Sequence, residues 1–374
     1  MSALIKQTQL FDVNALAFLQ QYHQVQSVKT YTAIELFAGA GGMALGFEKA
    51  GIQSVLLNEW DKNACQTLKF NRPDWHVVEG DIATIDFKKY HKQVDILSGG
   101  FPCQAFSYAG KKMGFEDIRG TLFFEFARAI QEVQPQIFIG ENVRGLMRHD
   151  GGRTLNTMKK ILTDLGYYLV EPRILNASYY QVPQKRERLF LIGIRQDIYS
   201  QFKTSTPFVW PEPTQEPLPL KAALQAGSLY PFNVPPSAGQ KYPKKKESVL
   251  KLIPPGGYWR DLPVEIQMEY MKKSFYMGGG KTGIARRLSW EEPSLTLTCS
   301  PSQNQTERCH PEETRPLTVR EYARIQTFPD EWEFMGTVSS QYKQIGNAVP
   351  VNLGYAVAKS VIYCLNQVGT SHSL

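Results

Sequence analysis

The chain has 374 residues, 42% of them hydrophobic and 21% charged. That is globular composition at a length that buries a full core, so global disorder and a disulfide-stapled miniprotein are both excluded. Its 42 Lys/Arg against 35 Asp/Glu give +7, too modest a surplus for the whole-chain charge to identify a partner.

Residues 1–30 read as one amphipathic helical extension. They lack a basic start followed by an apolar block, so no secretory leader is expected. No run of about 18 apolar residues follows, so neither a membrane-spanning helix nor a membrane partner is expected. From residue 31 to 195 short apolar runs alternate with helical patterns. Candidate strands are Ile34–Ala38, Ser54–Asn58, His76–Glu79, Val94–Ser98, Gln136–Gly140, Tyr168–Ile174 and Leu189–Ile194. They are rich in β-branched residues and bounded by Gly, Asp or Asn, as buried parallel strands are. Leu122, Phe126, Ile130 and Val133 share a helical face, as do Leu155, Met158, Ile161, Leu162 and Leu165, after which Gly166 supplies a cap. This rhythm predicts a doubly wound α/β sheet, whose ligands sit at the carboxyl ends of the strands.

The first strand runs into Gly39, Gly41 and Gly42 and then a helix. Glycines let the backbone approach a ligand closely. Glu59 follows 20 residues after Gly39, where an acid can accept from both ribose hydroxyls. Trp60 offers a face for adenine, and Asp81 an acceptor for its amino group. A plain dinucleotide site is the competing reading. The loop lacks the usual G-x-G-x-x-G spacing, which favours a nucleoside without pyrophosphate, S-adenosyl-L-methionine, over NAD.

The strand ending at Ser98 leads into Gly99-Gly-Phe-Pro-Cys103-Gln104-Ala-Phe-Ser107. A cysteine in such a loop, at the carboxyl end of a strand, is placed to act as a nucleophile. The five cysteines form no CxxC pair and fit a reducing cytoplasm. Cys65, Cys299, Cys309 and Cys364 read as buried structural thiols. The next strand ends in Glu141-Asn-Val143, so Glu141 can face Cys103 across the strand ends and donate to a ring nitrogen when protonated. In Gln184-Lys-Arg186-Glu-Arg188, alternation puts Arg186 and Arg188 on one face of an extended segment, where they can hold a base carbonyl or a phosphate.

Residues 201–290 hold 13 Lys/Arg against 6 Asp/Glu and 12 of the 23 prolines, while the rest of the chain carries 29 of each sign. Composition shifts there on two axes, which predicts a second, loop-rich module around Lys244–Lys246, Pro254–Gly257 and Gly278–Gly280. The predicted domains are an extension at 1–30, a catalytic domain at 31–195 plus 316–374, and a smaller module at 196–315. Val319–Thr327 and Asn352–Leu365 read as helices, with Gln344–Pro350 a turn between them.

Taken in order, these blocks resemble the cytosine-5 DNA methyltransferases of bacterial restriction–modification systems. The resemblance rests on Glu35-Leu-Phe-Ala-Gly-Ala-Gly-Gly42, Asn58-Glu-Trp-Asp61, Gly80-Asp-Ile82, Gly100-Phe-Pro-Cys-Gln104, Gly114-Phe-Glu-Asp117, Arg119-Gly-Thr-Leu-Phe-Phe124, Glu141-Asn-Val143, Gln184-Lys-Arg-Glu-Arg188, Arg320-Glu-Tyr-Ala-Arg324 and Gln344-Ile-Gly-Asn-Ala-Val-Pro350. It covers about 31–365 and diverges in 196–290. It implies a Rossmann-like methyltransferase sheet and a target-recognition domain, with Cys103 as nucleophile, Glu141 on cytosine nitrogen 3, and Arg188 with Arg186 in support. It implies an S-adenosyl-L-methionine pocket of Phe37, Glu59, Trp60, Asp81, Ile82, Pro102, Leu122 and Asn347, with Ala348 and Val349 beside it. Thr296-Leu297 resembles the family's Thr-Leu element, although an ordinary β-strand explains the same residues. Gln104, Ser107, Arg260, Lys281, Arg286 and Gln303 complete the candidate DNA contacts, with Arg287 and Gln305 as further base readers. The implied partner is double-stranded DNA, acted on by a monomer without a metal, beside a cognate restriction endonuclease encoded separately. A tRNA cytosine-5 methyltransferase on the same core and an NAD-dependent oxidoreductase stand as alternatives. The basic insert favours DNA.

Overall fold

A computed structural model describes residues 22–102, 122–204, 206–278 and 281–369. The chain divides into two compact units, one of Met1–Leu175, Glu187–Pro213 and Leu353–Leu374, the other of Asn176–Arg186 and Thr214–Asn352.

In the first unit the strands are β1 (Tyr31–Leu36), β2 (Ile52–Glu59), β3 (Val77–Glu79), β4 (Ile96–Gly99), β5 (Ile137–Val143), β6 (Tyr167–Leu169), β7 (Arg173–Asn176, whose last residue opens the second unit) and β9 (Glu187–Arg195). The order is β3-β2-β1-β4-β5-β9-β6, with β7 paired to β9. The pairs from β3 to β5 are parallel, as expected. β9 instead runs antiparallel to both β5 and β6, which corrects the all-parallel reading. The expected strand Tyr168–Ile174 splits into β6 and β7 at Val170–Pro172. Pro172 has no N–H to donate to a ladder, which breaks the run. Helices α1 (Gly42–Ala50), α2 (Lys62–Asn71), α3 (Leu122–Val133) and α4 (Arg153–Asp164) fill the connections. The chain leaves β1 towards β2 on one side, and β4 lies on the other. This is the switch point at which open sheets bind ligands.

One core joins Ile34, Leu36, Leu97, Leu189 and Leu191 to a chain of rings. Phe123 and Phe126 both stand 5.3 Å from Phe101, Phe138 stands 6.1 Å from Phe126, and Tyr167 stands 5.1 Å from Phe138. The C-terminal helix α9 (Val351–Gly369) returns to this unit from Leu353 onward. There Tyr31 Oη donates to Asn366 Oδ1 at 2.9 Å and Lys359 Nζ to the Val25 carbonyl at 2.6 Å. The apolar window in Val338–Val368 is 83% buried in protein.

The second unit contains β8 (Gln184–Lys185) parallel to β10 (Ser294–Leu295), and helices α5 (Lys244–Leu250), α6 (Val264–Met271), α7 (Val319–Ile325) and α8 (Val338–Asn347). Its compact boundary encloses 316–352, which the sequence reading had grouped with the catalytic sheet. A buried amide pair explains the grouping. Gln184 Nε2 donates to Gln326 Oε1 at 2.9 Å, Gln326 Nε2 donates to the Ile345 and Ala348 carbonyls at 2.7 and 3.2 Å, and the Leu297 N–H donates to Gln184 Oε1 at 2.9 Å. Gln344–Asn347, expected as a turn, closes α8, which Thr337 caps by accepting from the Ser340 N–H. Lys244–Lys246 opens a helix and is not a loop tip.

Candidate functional site

The loop after β1 is unusual in its backbone. Phe37, Gly39 and Gly41 all have left-handed φ, at 57°, 55° and 84°. For a bulky residue such as Phe37 this conformation costs about 1–3 kcal/mol and must be held by its surroundings. Glu59 does much of the holding. Its Oε2 accepts from the Gly39 N–H at 2.7 Å, and its Oε1 accepts from the N–H groups of Trp60 at 2.8 Å and Asp61 at 2.7 Å. A carboxylate has about four lone-pair directions. Three are used among the described residues, which leaves one acceptor direction where the sequence reading expects two. A Cβ built on Gly39 would meet nothing within 4 Å among the described residues.

Around it, Trp60 is 71% exposed and presents its ring. Asp81 is exposed and caps the turn Ile82–Thr84, its Oδ1 accepting from the Ala83 N–H at 2.9 Å. Ile82 is buried in the core rather than open to a ligand. Phe37 and Leu122 are half-buried against that core, and Pro102 is exposed.

Two buried groups at this sheet end escaped the sequence reading. Glu35 on β1 is 5% exposed, and its Oε2 has no hydrogen-bond partner among the described residues. Burial, reinforced by the Glu59 carboxylate, holds its carboxyl well above the usual range. Ser98, its register partner on β4, is equally buried with an unpartnered Oγ. An acid inside an apolar strand, immediately before a Gly-rich loop, was the available signal.

Beyond β4 and Pro102 come Cys103, Gln104 and Ser107, which lie outside the described residues; the residues leading to them are described. Glu141 on β5 is paired with Arg188 on β9, Oε1 to Nε at 2.7 Å, with both side chains 12% exposed. A Cβ built on Gly100 would stand 2.8 Å from Glu141 Oε2. The carboxylate therefore lies directly over the loop, in space that only glycine leaves open. Asn142, missed in the sequence reading, donates its Nδ2 to the Phe101 carbonyl at 2.7 Å and accepts from the Val143 N–H. It ties the strand end of Glu141 to the strand end that leads to Cys103.

Arg186 and Arg188 fall in different units. Arg186 belongs to the second unit, is 1% exposed, and donates to the carbonyls of Leu297 at 3.2 Å and Gly346 at 2.9 Å. It is a staple, and Arg188 is the arginine that pairs with Glu141. Asn347 is exposed, and its Oδ1 accepts from Cys299 Sγ at 3.4 Å. Cys299 is thus an exposed thiol and not the buried one expected, whereas Cys65, Cys309 and Cys364 are buried. Ala348 is buried and Val349 half-buried.

The candidate DNA contacts separate by environment. Arg260 is exposed beside the Trp259 ring, half-buried Arg286 lies 5.8 Å from the Tyr258 ring, and Gln303 and Gln305 are exposed. Arg287 is 3% exposed and donates to five backbone carbonyls, including Leu250 and Ile253 at 2.8 Å. It is a structural clasp, not a base reader. Lys281 directs its ammonium to the carbonyls of Ser274 and Met277. Leu297 is 1% exposed, which makes its side chain core, and Thr296 donates its hydroxyl to the Lys185 carbonyl at 2.6 Å. Among the described residues no cluster of His, Cys, Asp and Glu could hold a metal.

The comparisons with known proteins agree on one family. The family model for C-5 cytosine-specific DNA methylases matches residues 31–363. The type II methyltransferase M.Eco47II of Escherichia coli is 66% identical over 91% of this chain and 81% of its own length. M.Sau96I of Staphylococcus aureus is 53% identical over 92% of this chain and 78% of its own. Among solved structures, the Dnmt2 methyltransferase of S. pombe matches with a TM-score of 0.57 at 16% identity, over 92% of this chain and 100% of that one, a likeness of fold.

Proposed function

Because the chain belongs to the C-5 cytosine-specific DNA methylase family and is a DNA cytosine methyltransferase of the restriction–modification type, we propose that it moves a methyl group from S-adenosyl-L-methionine to carbon 5 of a cytosine flipped out of duplex DNA. Cys103 would be the covalent nucleophile. The observation that carries this reading is Glu141, held by Arg188 over Gly100 at the root of the Cys103 loop.

The residues at the switch point fit the cofactor. Among the described residues nothing approaches a Cβ on Gly39, Glu59 keeps one acceptor for a ribose hydroxyl, Trp60 offers a ring face, and Glu35 is a buried acid whose Oε2 has no hydrogen-bond partner, next to the loop that would receive a cationic ligand. When bound, S-adenosyl-L-methionine supplies an electrophilic methyl on a positively charged sulfur. The Cys103 thiolate adds to carbon 6 of the cytosine, forming a C–S bond and moving an electron pair towards carbon 5. Glu141 shares a proton with nitrogen 3 and offsets the charge that develops in the ring, an effect worth about 10²–10⁴-fold. Arg188 fixes the carboxylate in that pose. Once carbon 5 carries its new methyl, its proton leaves to a base and the C–S bond breaks, which returns the thiolate. A base inside a duplex is out of reach, so the cytosine must be extruded. The enzyme would act in the cytoplasm as a monomer, with a separately encoded endonuclease as its counterpart.

Bisulfite sequencing of DNA from a host expressing the protein tests the reading directly. Protected cytosines in one sequence context are expected, and none with Cys103→Ala, which should still bind DNA. Appreciable turnover by Cys103→Ala removes the nucleophile assignment. Glu141→Gln should lower kcat far more than cofactor affinity; equal losses in both would argue for a merely structural carboxylate.

A further inference from the structure

The segment that follows Glu141 forms a ridge with no role in the scheme above. β5 ends at Val143, which is 43% exposed and lies in register with Arg188. A 3-10 segment, Arg144–Gly152, comes next. Leu146, its buried residue, sits in the main core and pins the ridge from beneath, while Met147 remains 39% exposed. Three arginines stand on or beside it. Arg144 is paired with Glu187 at 2.7 Å and Arg153 with Asp150. Arg148 is exposed and has no ion pair or hydrogen bond among the described residues.

We propose that this ridge seats the DNA strand carrying the target cytosine, with Val143 and Met147 against its sugars and Arg148 on a phosphate within about five of the extruded nucleotide. The inference rests on duplex DNA being the substrate. Three features separate it from an ordinary solvated surface. The ridge is anchored in the core, so its exposed apolar side chains are held in place. It begins two residues from the carboxylate assigned to the base, so a strand whose cytosine reaches Glu141 must pass over Val143. Its two other arginines are already neutralised by acids, and among the described residues that leaves one cation unopposed. The scale agrees. Two extended residues from Glu141 to Val143 span about 7 Å, and five at about 2.0 Å each reach Arg148. The total is at most about 17 Å, or roughly five phosphates at 3.4 Å of axial rise.

The test is fluorescence anisotropy of the full chain with a duplex carrying the methylated context mapped by bisulfite sequencing, titrated from 50 to 200 mM salt. Losing one phosphate contact lowers the slope of log affinity against log salt by about 0.9. Arg148→Ala should therefore bind more weakly than wild type, by a ratio that shrinks about 3.5-fold across that range. Arg148→Lys should restore the slope. Arg153→Ala, which removes an already neutralised cation, should leave it within about 0.3 of wild type. A wild-type slope for Arg148→Ala overturns the proposal. So does an equal change in Arg153→Ala, which would report the general positive field of the surface. Failure of wild type to methylate DNA at all would sink the functional reading instead, so the two failures are distinguishable.

Discussion

Two neighbouring glycines should fail in opposite ways when given a methyl group. In Gly100→Ala the new Cβ would stand 2.8 Å from Glu141 Oε2. An ordinary carbon–oxygen contact needs roughly 0.5 Å more, and the carboxylate is the far end of a flexible side chain, so it gives way. Its bond to Arg188, now 2.7 Å, must stretch or turn. A misplacement of about 1 Å can cost 10²-fold in rate, so half of that should lower kcat roughly 10-fold. Stability should barely move, because Gly→Ala also removes about 0.4–1 kcal/mol of unfolded-chain entropy. In Gly99→Ala the Cβ would lie 2.8 and 2.9 Å from carbons of the Phe126 ring. That ring is fully buried beside Phe101 and Phe138, and overpacking of this kind costs about 1–3 kcal/mol. Methyl transfer to duplex DNA from labelled S-adenosyl-L-methionine, with Tm by differential scanning fluorimetry, separates the two. A Gly100→Ala enzyme within twofold of wild-type kcat, or one that loses as much Tm as Gly99→Ala, refutes the placement of Glu141 over the loop.

Glu35→Gln should stabilise the protein increasingly as pH rises. Glu35 is held well above the usual carboxylate range in the fold. Its contribution is therefore fully present below its unfolded pKa of about 4.3 and is lost as pH rises through the folded value, whereas glutamine stays neutral. A Tm difference between variant and wild type that is the same from pH 5 to pH 9 would show that Glu35 does not titrate in this way. The lysine run 244–246 should behave as two classes. Lys246 Nζ donates to the Ser302 carbonyl at 2.8 Å and Asn304 Oδ1 at 3.0 Å, and it pairs with Glu307, which is 0% exposed. Lys246→Ala should cost about 3–5 kcal/mol by leaving a buried charge uncompensated. Lys244→Ala should leave Tm within about 1 °C and flatten the salt dependence of DNA binding; an unchanged slope would make it a solvated face.

The sheet was legible because its strands are short β-branched runs punctuated by Gly, Asp and Asn, and the observed β1 to β5 and β9 fall within a few residues of them. Direction was not legible. Leu189–Ile194 is buried on both faces, so it has no alternation to read, and a continuous apolar run looks the same whichever way it enters a sheet. The helix Val338–Asn347 was hidden for a different reason. Its buried residues are few, and the Thr337 cap was the main signal. At the candidate site, Glu59, Glu141 and Arg188 could be singled out because strand ends concentrate chemistry. Asn142 and Glu35 were passed over because each acts through an element distant in sequence. Asn142 acts on a carbonyl 41 residues earlier, and Glu35 is shifted chiefly by burial, which no local pattern encodes.

Charge shows the same limit at larger scale. The basic window 201–290 suggested a surface of free cations, yet several of its members already have anionic or carbonyl partners. Lys246 closes on Glu307, Arg287 clasps five carbonyls, Lys281 caps two, and Lys221 and Lys245 face Glu291 and Glu269. A cation that completes a buried network releases no counterions when DNA arrives, so it adds nothing to the salt slope. Arg148 is the converse case. It lies in a part of the chain whose charges sum to zero, and among the described residues it has no acid partner, whereas Arg144 and Arg153 do. Counting residues by sign therefore gives the wrong ranking for both. What determines whether a basic side chain can meet a phosphate is whether the fold has already given it a partner, and that depends on contacts such as Lys246–Glu307, between residues 61 positions apart.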